Sequence, residues 1–78
     1  MESVDIGVRI ASWRKAKGLT RLEIAEALGV SVAAVYQWEG SGGSKTTPSL
    51  TNLEKLVARL GLTMERFYGT LPKARKSA

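Results

Sequence analysis

Apolar residues recur along this chain with the three- and four-residue spacing of helices, in five stretches separated by glycine or proline. In the first stretch, Ile6, Ile10 and Trp13 share one helical face. This stretch begins near residues 3–5, where Ser or Asp can cap it, and it ends at Gly18, because glycine readily adopts the left-handed conformation that follows a helix. No stretch alternates with the two-residue period of a strand, so the pattern predicts an all-α domain.

The second and third stretches are short and almost continuous. Thr20 and Glu23 have the spacing of a capping box, in which each side chain bonds to the backbone amide of the other residue, and Gly29 ends this second helix. Ser31 can cap a third helix that runs to about Glu39. Two short helices joined by a tight turn at a glycine predict a helix-turn-helix. The inward-facing residues of these two helices are Ile24, Ala25, Leu28, Val35 and Trp38.

The fourth and fifth stretches follow a polar segment. Residues 40–47 contain three glycines and no apolar residue, which predicts a flexible surface loop with Lys45 as its one charge. Ser49 then caps a fourth helix that ends at Gly61, and Thr63 caps a short fifth helix. The predicted inward-facing residues of the fourth helix are Leu50, Leu53, Val57 and Leu60. In the fifth helix, Met64, Phe67 and Tyr68 are predicted to share one face.

Length and composition limit what the chain can do. Its 78 residues allow one domain, which we place at residues 1–72, and so short a chain has little material for the walls of a large catalytic cleft. It contains no Cys and no His, which excludes disulfides, thiolate chemistry, the usual zinc sites and imidazole acid–base catalysis. No apolar run approaches the roughly 18 residues that a membrane span needs. We therefore expect a cytoplasmic binding protein that is not an enzyme and uses no metal or cofactor.

Positive charge is concentrated in the last residues. The chain has 12 basic and 7 acidic residues, a net charge of +5, and Lys73, Arg75 and Lys76 carry three of these charges. Without them, 9 basic and 7 acidic residues remain, so residues 1–72 have a net charge of only +2. Residues 73–78 are predicted to be a disordered basic tail that either binds phosphates or keeps the protein in solution. The overall balance favours an anionic partner.

Small, apolar, capping and charged residues share a specific joint spacing over most of the chain. They are Arg14, Gly18-Leu19-Thr20, Ile24-Ala25, Leu28-Gly29-Val30-Ser31, Val35, Trp38-Glu39, Pro48 and Leu60-Gly61. Through these residues the chain resembles, over residues 6–69, the lambda-repressor/Cro-like (XRE-type) family of DNA-binding proteins. The resemblance implies five helices, with the third, at about residues 31–39, lying in the major groove of double-stranded DNA. It also implies a transcription regulator of bacterial or phage type and an ion pair between Arg14 and Glu39.

Helical geometry and the resemblance together predict the residues that meet DNA. They are Val32, Ala33, Tyr36 and Gln37 on the exposed face of the third helix, with Thr20, Arg21, Ser31 and Lys45 beside it. Gln37 can pair with adenine through two hydrogen bonds, and Tyr36 can touch a phosphate or a methyl group. Val32 and Ala33 either contact thymine methyl groups or are filler on a helix that only rests in the groove.

The chain departs from its apparent relatives at three places. Arg21 stands where the family commonly has a Gln that helps to clamp a phosphate; Arg would do so with full charge, and the alternative is a solvated surface charge. The loop before Pro48 is longer and richer in Gly than usual. Relatives often have hydrogen-bonding residues at the positions of Val32 and Ala33, so direct readout of bases is expected to be limited.

The end of the chain raises the question of assembly. Met64, Phe67, Tyr68 and Leu71 offer more apolar surface than the last helix of a small core requires. These residues either seal the core or extend into a partner, and we expect a homodimer. Trp13 and Trp38 are expected in the core rather than stacked on unpaired bases. The alternative function is a protein-interaction module or an antitoxin-like accessory subunit on the same scaffold, which the apolar Val32-Ala33 surface favours.

Overall fold

A computed structural model describes residues 6–40 and 46–72 of the chain. Within these ranges the secondary structure consists of five helices and no strand, as the apolar pattern predicts. The helices are α1 (Ile6–Ala16), α2 (Arg21–Leu28), α3 (Val32–Trp38), α4 (Leu50–Arg59) and α5 (Met64–Tyr68). Three predictions fall outside the described residues: the start of α1 at residues 3–5, the loop position Lys45, and the basic tail at residues 73–78.

The helices begin and end where local sequence signals predict. The Thr20 hydroxyl accepts a hydrogen bond from the Glu23 amide at 3.1 Å, and the Glu23 carboxylate accepts one from the Thr20 amide at 2.8 Å, which completes the capping box. Gly29 has a φ of 72°, the left-handed conformation that a side chain disfavours. Its amide and that of Val30 bond to the last carbonyls of α2, so the chain turns at once toward α3.

One core holds the five helices together. α2 packs against both α3 and α4, while α1 contacts α3 and α5. Both tryptophans, Trp13 and Trp38, are buried in this core, as predicted. The other buried apolar residues are Ile10, Ile24, Ala25, Leu28, Val35, Leu53, Leu56, Val57, Leu60 and Phe67. None of the described helices is long and apolar enough to cross a membrane.

The inner face of α4 differs from the prediction at two positions. Leu50 was expected to face inward, but it is 66% exposed, whereas Leu56, which the spacing rule omitted, is fully buried. Leu50 is the first residue of α4 and extends beyond the packed part of the helix. The two rows of side chains that meet the core start with Leu53 and include both Leu56 and Val57, because the apolar face of a helix on a core is wider than one row.

Phe67 also corrects a prediction. It was assigned to a dimer interface, but it is 0% exposed and fills the core, so its side chain is not available to a partner. Met64 packs partly against the same core. Of the four residues predicted at that interface, Tyr68 remains exposed and Leu71 remains half-buried. The physical reason is that α5 has only five residues and its single inward side chain closes the end of the bundle.

Side chains of α1 hold the end of α5, in an arrangement we call the α5 clamp. Arg9 donates from Nη1 to the Phe67 carbonyl at 3.1 Å and to the Gly69 carbonyl at 2.7 Å. The indole of Trp13 donates to the same Phe67 carbonyl at 3.2 Å. These donors satisfy carbonyls that the end of a helix leaves without intrahelical partners. The clamp therefore fixes a helix that is too short to be stable alone.

Candidate nucleic-acid interface

One face of α3 is directed to solvent. Val35 and Trp38 are buried, whereas Val32 and Ala33 are exposed and Tyr36 is 40% exposed. Gln37 is half-buried. We call these four solvent-facing residues the outer strip: Val32, Ala33, Tyr36 and Gln37. Residues four positions apart lie one above the other on a helix, so the strip forms a continuous surface that is free of the core.

The end of α3 is held by a buried carboxylate. Glu39 is only 1% exposed at its side chain, and its two oxygens face the Arg14 guanidinium, with Nε–Oε2 at 2.8 Å and Nη2–Oε1 at 3.2 Å. Arg14 also donates from Nη1 to the Leu19 carbonyl at 3.0 Å. The ion pair that the resemblance implies is therefore present as a two-bonded pair. It joins α1 to the last turn of α3.

Arg21 adds a second cation to Glu39, a contact that the sequence does not predict. Its Nε donates to Glu39 Oε1 at 2.9 Å, and its Cζ lies 4.3 Å from the centre of the Tyr36 ring. The Arg21 side chain keeps 29% of its surface exposed. We call Arg14, Arg21 and Glu39 the Glu39 hub. With two guanidinium groups on one carboxylate, the hub carries one net positive charge at the base of the outer strip.

Electrostatics in the hub favour the charged form of Arg21. Burial lowers the pKa of Arg21, but the hydrogen bond and charge of Glu39, together with the contact to Tyr36, outweigh it, so the pKa lies above its usual value. Arg21 is thus a permanent cation.

At the start of α2, hydrogen bonds from Thr20 lower the pKa of Glu23, so this carboxylate also stays charged at neutral pH.

A helix-turn-helix family model matches residues 10–67, which is most of the chain. This match covers α2, the turn at Gly29, α3 and the residues of the Glu39 hub. The chain belongs to the lambda-repressor/Cro-like helix-turn-helix family. Neither the curated proteins nor the solved structures gave a significant match to the chain. The family is one of DNA-binding regulators rather than enzymes.

The starts of α2 and α3 each carry a capping hydroxyl. The hydroxyls of Thr20 and Ser31 each accept a bond from a backbone amide, at 3.1 and 3.2 Å. Each hydroxyl keeps its own hydrogen, which it can donate to a phosphate oxygen. Both residues are exposed. Lys45, the remaining predicted contact, lies outside the described residues.

Among the residues described, no three acidic side chains come close enough together to form a metal site. Arg21 contacts Tyr36 and Glu39, which lie 15 and 18 positions further along the chain, and the sequence pattern does not predict these contacts. A pattern within one helix cannot reveal them, because they depend on how α2 crosses α3. The only signal was chemical: a cation, an aromatic ring and a carboxylate on two adjacent helices.

Proposed function

We propose that this helix-turn-helix protein is a sequence-specific regulator of transcription that places α3 in the major groove of duplex DNA. The observation that carries the proposal is the outer strip: four residues directed away from a core that fixes the opposite face of the same helix. A rigid helix with one solvent-facing edge is the element that fits a major groove. Because its partner is DNA, the protein acts in the cytoplasm at the nucleoid.

Within this proposal, the residues divide by chemistry into readers and anchors. Gln37 offers both a donor and an acceptor and can pair with adenine, while Val32 and Ala33 contact thymine methyl groups. The hydroxyls of Thr20 and Ser31 bind backbone phosphates, which position the protein but carry no sequence information. Lys45 and the exposed part of Arg21 add positive charge near the same backbone.

The test is selection of bound sequences from a pool of random duplexes. We expect a palindrome with half-sites about 10 base pairs apart, since two recognition helices in a symmetric dimer lie one turn of DNA apart. An enriched pool without any shared sequence would contradict specific readout. A pool that is not retained at all would favour the alternative, a protein-interaction module on the same scaffold.

Gln37→Ala sharpens that test. On the selected site the variant should lose on the order of 1 to 3 kcal/mol of binding free energy and relax the preference at one base pair per half-site. The slope of log affinity against log salt concentration should not change, because no phosphate contact is removed. Equal weakening on the selected and on random DNA would show that Gln37 is not a reader, and selectivity would then come from methyl contacts or DNA shape.

The proposal includes a homodimer formed through the surface near the end of α5. Tyr68 is exposed there, and Leu71 lies in an open groove together with Trp13 and Arg66. We expect Leu71→Glu to weaken self-association without unfolding the chain, since Leu71 lies outside the buried core. Leu50→Glu, an equal change at an exposed leucine on α4, is the control. Sedimentation of the wild type as a monomer at high micromolar concentration would contradict a dimer that forms before DNA binding.

A further inference from the structure

Tyr36 differs from its neighbours in the outer strip because a charged side chain of another helix lies on its ring. Arg21 belongs to the first turn of α2, and its Cζ is 4.3 Å from the Tyr36 ring centre. At this distance a guanidinium group stacks on an aromatic ring and is attracted to its face. Tyr36 remains 40% exposed, so the residue stays open to solvent while the guanidinium lies over its ring.

The Arg21 guanidinium is itself held in place. Its Nε is bonded to Glu39 Oε1 at 2.9 Å, and Glu39 is fixed by the two bonds from Arg14. Arg14 in turn is tied to the Leu19 carbonyl. The capping box at Thr20 fixes the backbone from which Arg21 projects. A continuous series of bonds from α1 and α2 therefore supports the surface on which the Tyr36 ring rests.

We propose that Arg21 positions the Tyr36 ring for base readout, so that the Arg21–Tyr36 pair selects one base pair in each half-site. The inference rests on the proposed function, because it assumes that α3 lies in the groove. A tyrosine on an open helix face can rotate about two side-chain bonds and must lose that freedom when it meets a base. The stack removes part of this freedom in advance, and preorganised contacts bind more selectively than mobile ones.

This role differs from that of a phosphate anchor, and lysine separates the two. A lysine ammonium at position 21 keeps the positive charge that attracts phosphate, but it has no planar group to stack on the ring and no Nε donor aimed at Glu39. Arg21→Lys therefore preserves the electrostatic contribution and removes the positioning one. Arg59→Lys, at an exposed arginine of α4, is the matched control for the same chemical change.

The experiment measures binding to the selected site and to every single-base-pair variant of it. We expect Arg21→Lys and Tyr36→Ala to reduce the preference at the same base pair, by about three- to thirtyfold, with the salt slope of Arg21→Lys unchanged. The double variant should be no less selective there than Tyr36→Ala alone, because Arg21 acts through the ring. The preference at the base pair read by Gln37 and the behaviour of Arg59→Lys should match the wild type.

Two results would overturn the inference. One is an Arg21→Lys protein that keeps the preference Tyr36→Ala loses. The other is an Arg21→Lys protein that weakens all sequences equally or loses preference at every base pair. In the second case urea unfolding identifies the cause: lowered stability indicates a structural support for Glu39, and unchanged stability indicates a phosphate contact alone.

A measurement without DNA separates this inference from the proposed function. Protons of the Arg21 side chain that lie over an aromatic ring resonate upfield, and this shift should persist in Tyr36→Phe and disappear in Tyr36→Ala. Absence of the shift in the wild type overturns the positioning role even if the protein selects a DNA sequence. A wild type that shows the shift but selects no sequence overturns the proposed function, and the readout role of the pair with it.

Discussion

Arginines stabilise two parts of this small bundle, the Glu39 hub and the α5 clamp, by different chemistry. In the Glu39 hub, Arg14 and Arg21 share a carboxylate that is almost entirely buried. In the α5 clamp, Arg9 bonds to two backbone carbonyls, partly in contact with solvent. The hub brings a charged acceptor out of water, whereas the clamp completes a helix end whose carbonyls need donors in any case.

This difference indicates how much stability the Glu39 hub and the α5 clamp each lose when one of their side chains is removed. A buried ion pair has a small net effect on stability while it is intact, but removing one partner leaves a charge buried without compensation. When Arg9 is lost, the exposed Gly69 carbonyl returns to water and the Phe67 carbonyl keeps its bond from the Trp13 indole, which is a milder change. The hub is therefore the more sensitive of the two to a change in polar chemistry. Loss of the buried Phe67 side chain at α5 is expected to lower stability more than either polar change.

The largest effect is expected from Phe67→Ala, which breaks the α5 end by emptying the core beneath the clamp. Loss of a fully buried phenylalanine costs about 3 to 5 kcal/mol of unfolding free energy. Urea unfolding measures it, with Tyr68→Ala at the exposed neighbouring position as control. A Phe67→Ala protein of normal stability but weaker self-association would restore the dimer-interface role that the structure contradicts.

Glu39→Gln tests the hub with little change of shape. The amide oxygen of glutamine replaces only one of the two carboxylate oxygens, Arg14 remains buried without a counter-charge, and we expect a loss of about 3 kcal/mol. Glu26→Gln, at an exposed position of α2, should change the unfolding free energy by less than about 0.5 kcal/mol. Equal stability of Glu39→Gln and Glu26→Gln would show that the negative charge of Glu39 does not contribute to the stability of the hub.

Arg9→Met tests the clamp, since methionine keeps much of the apolar length and removes the donors. We expect a loss of about 1 to 2 kcal/mol, with faster hydrogen exchange in α5 than in α2. Lys15→Met, at an exposed position of the same helix, is the control. Because carbonyl acceptors do not titrate, the difference between Arg9→Met and wild type should be the same at pH 7 and pH 4. A difference that vanished in acid would contradict the backbone-carbonyl assignment.

The smallest expected effect is a pH dependence at the start of α2. Bonds from Thr20 lower the pKa of Glu23 from its usual value of about 4.5, so its charge stabilises the folded state above that value. This contribution is lost as the pH falls through the lowered pKa of the folded state. Glu23→Gln preserves the capping box without the charge. Wild type should therefore exceed the variant in stability at pH 7, and the two should converge in strong acid.

Local features of the fold followed from the sequence because their causes are local. The capping box at Thr20 and the turn at Gly29 depend on residues within four positions of one another, and both occur as predicted. The predictions for Leu50 and Phe67 are wrong and Leu56 is missing from the predicted core, because the burial of each residue depends on which helix lies above it. The sequence of a helix predicts which of its faces is apolar, but it does not predict how much of that face the neighbouring helices bury.

The candidate interface shows the same limit. Helical spacing alone separates the outer strip from the buried Val35 and Trp38. The contact of Arg21 with Tyr36 depends on the crossing of α2 and α3, and no spacing within either helix predicts it. Residue chemistry predicted a cation near DNA, but not the ring on which that cation lies.

On α3 the residues that pack against the core and the residues that face solvent are different, and this affects how a helix-turn-helix protein can acquire a new binding preference. Val35, Trp38 and Glu39 attach the helix to the rest of the bundle, and none of them belongs to the outer strip. Exposed substitutions away from special features usually alter stability by less than about 0.5 kcal/mol. The exposed positions 32 and 33 can therefore be replaced at little cost in stability, so that new binding preferences can arise by exchange of these side chains without a change in the packing of α3. Position 36 is different: a new residue there must also suit Arg21.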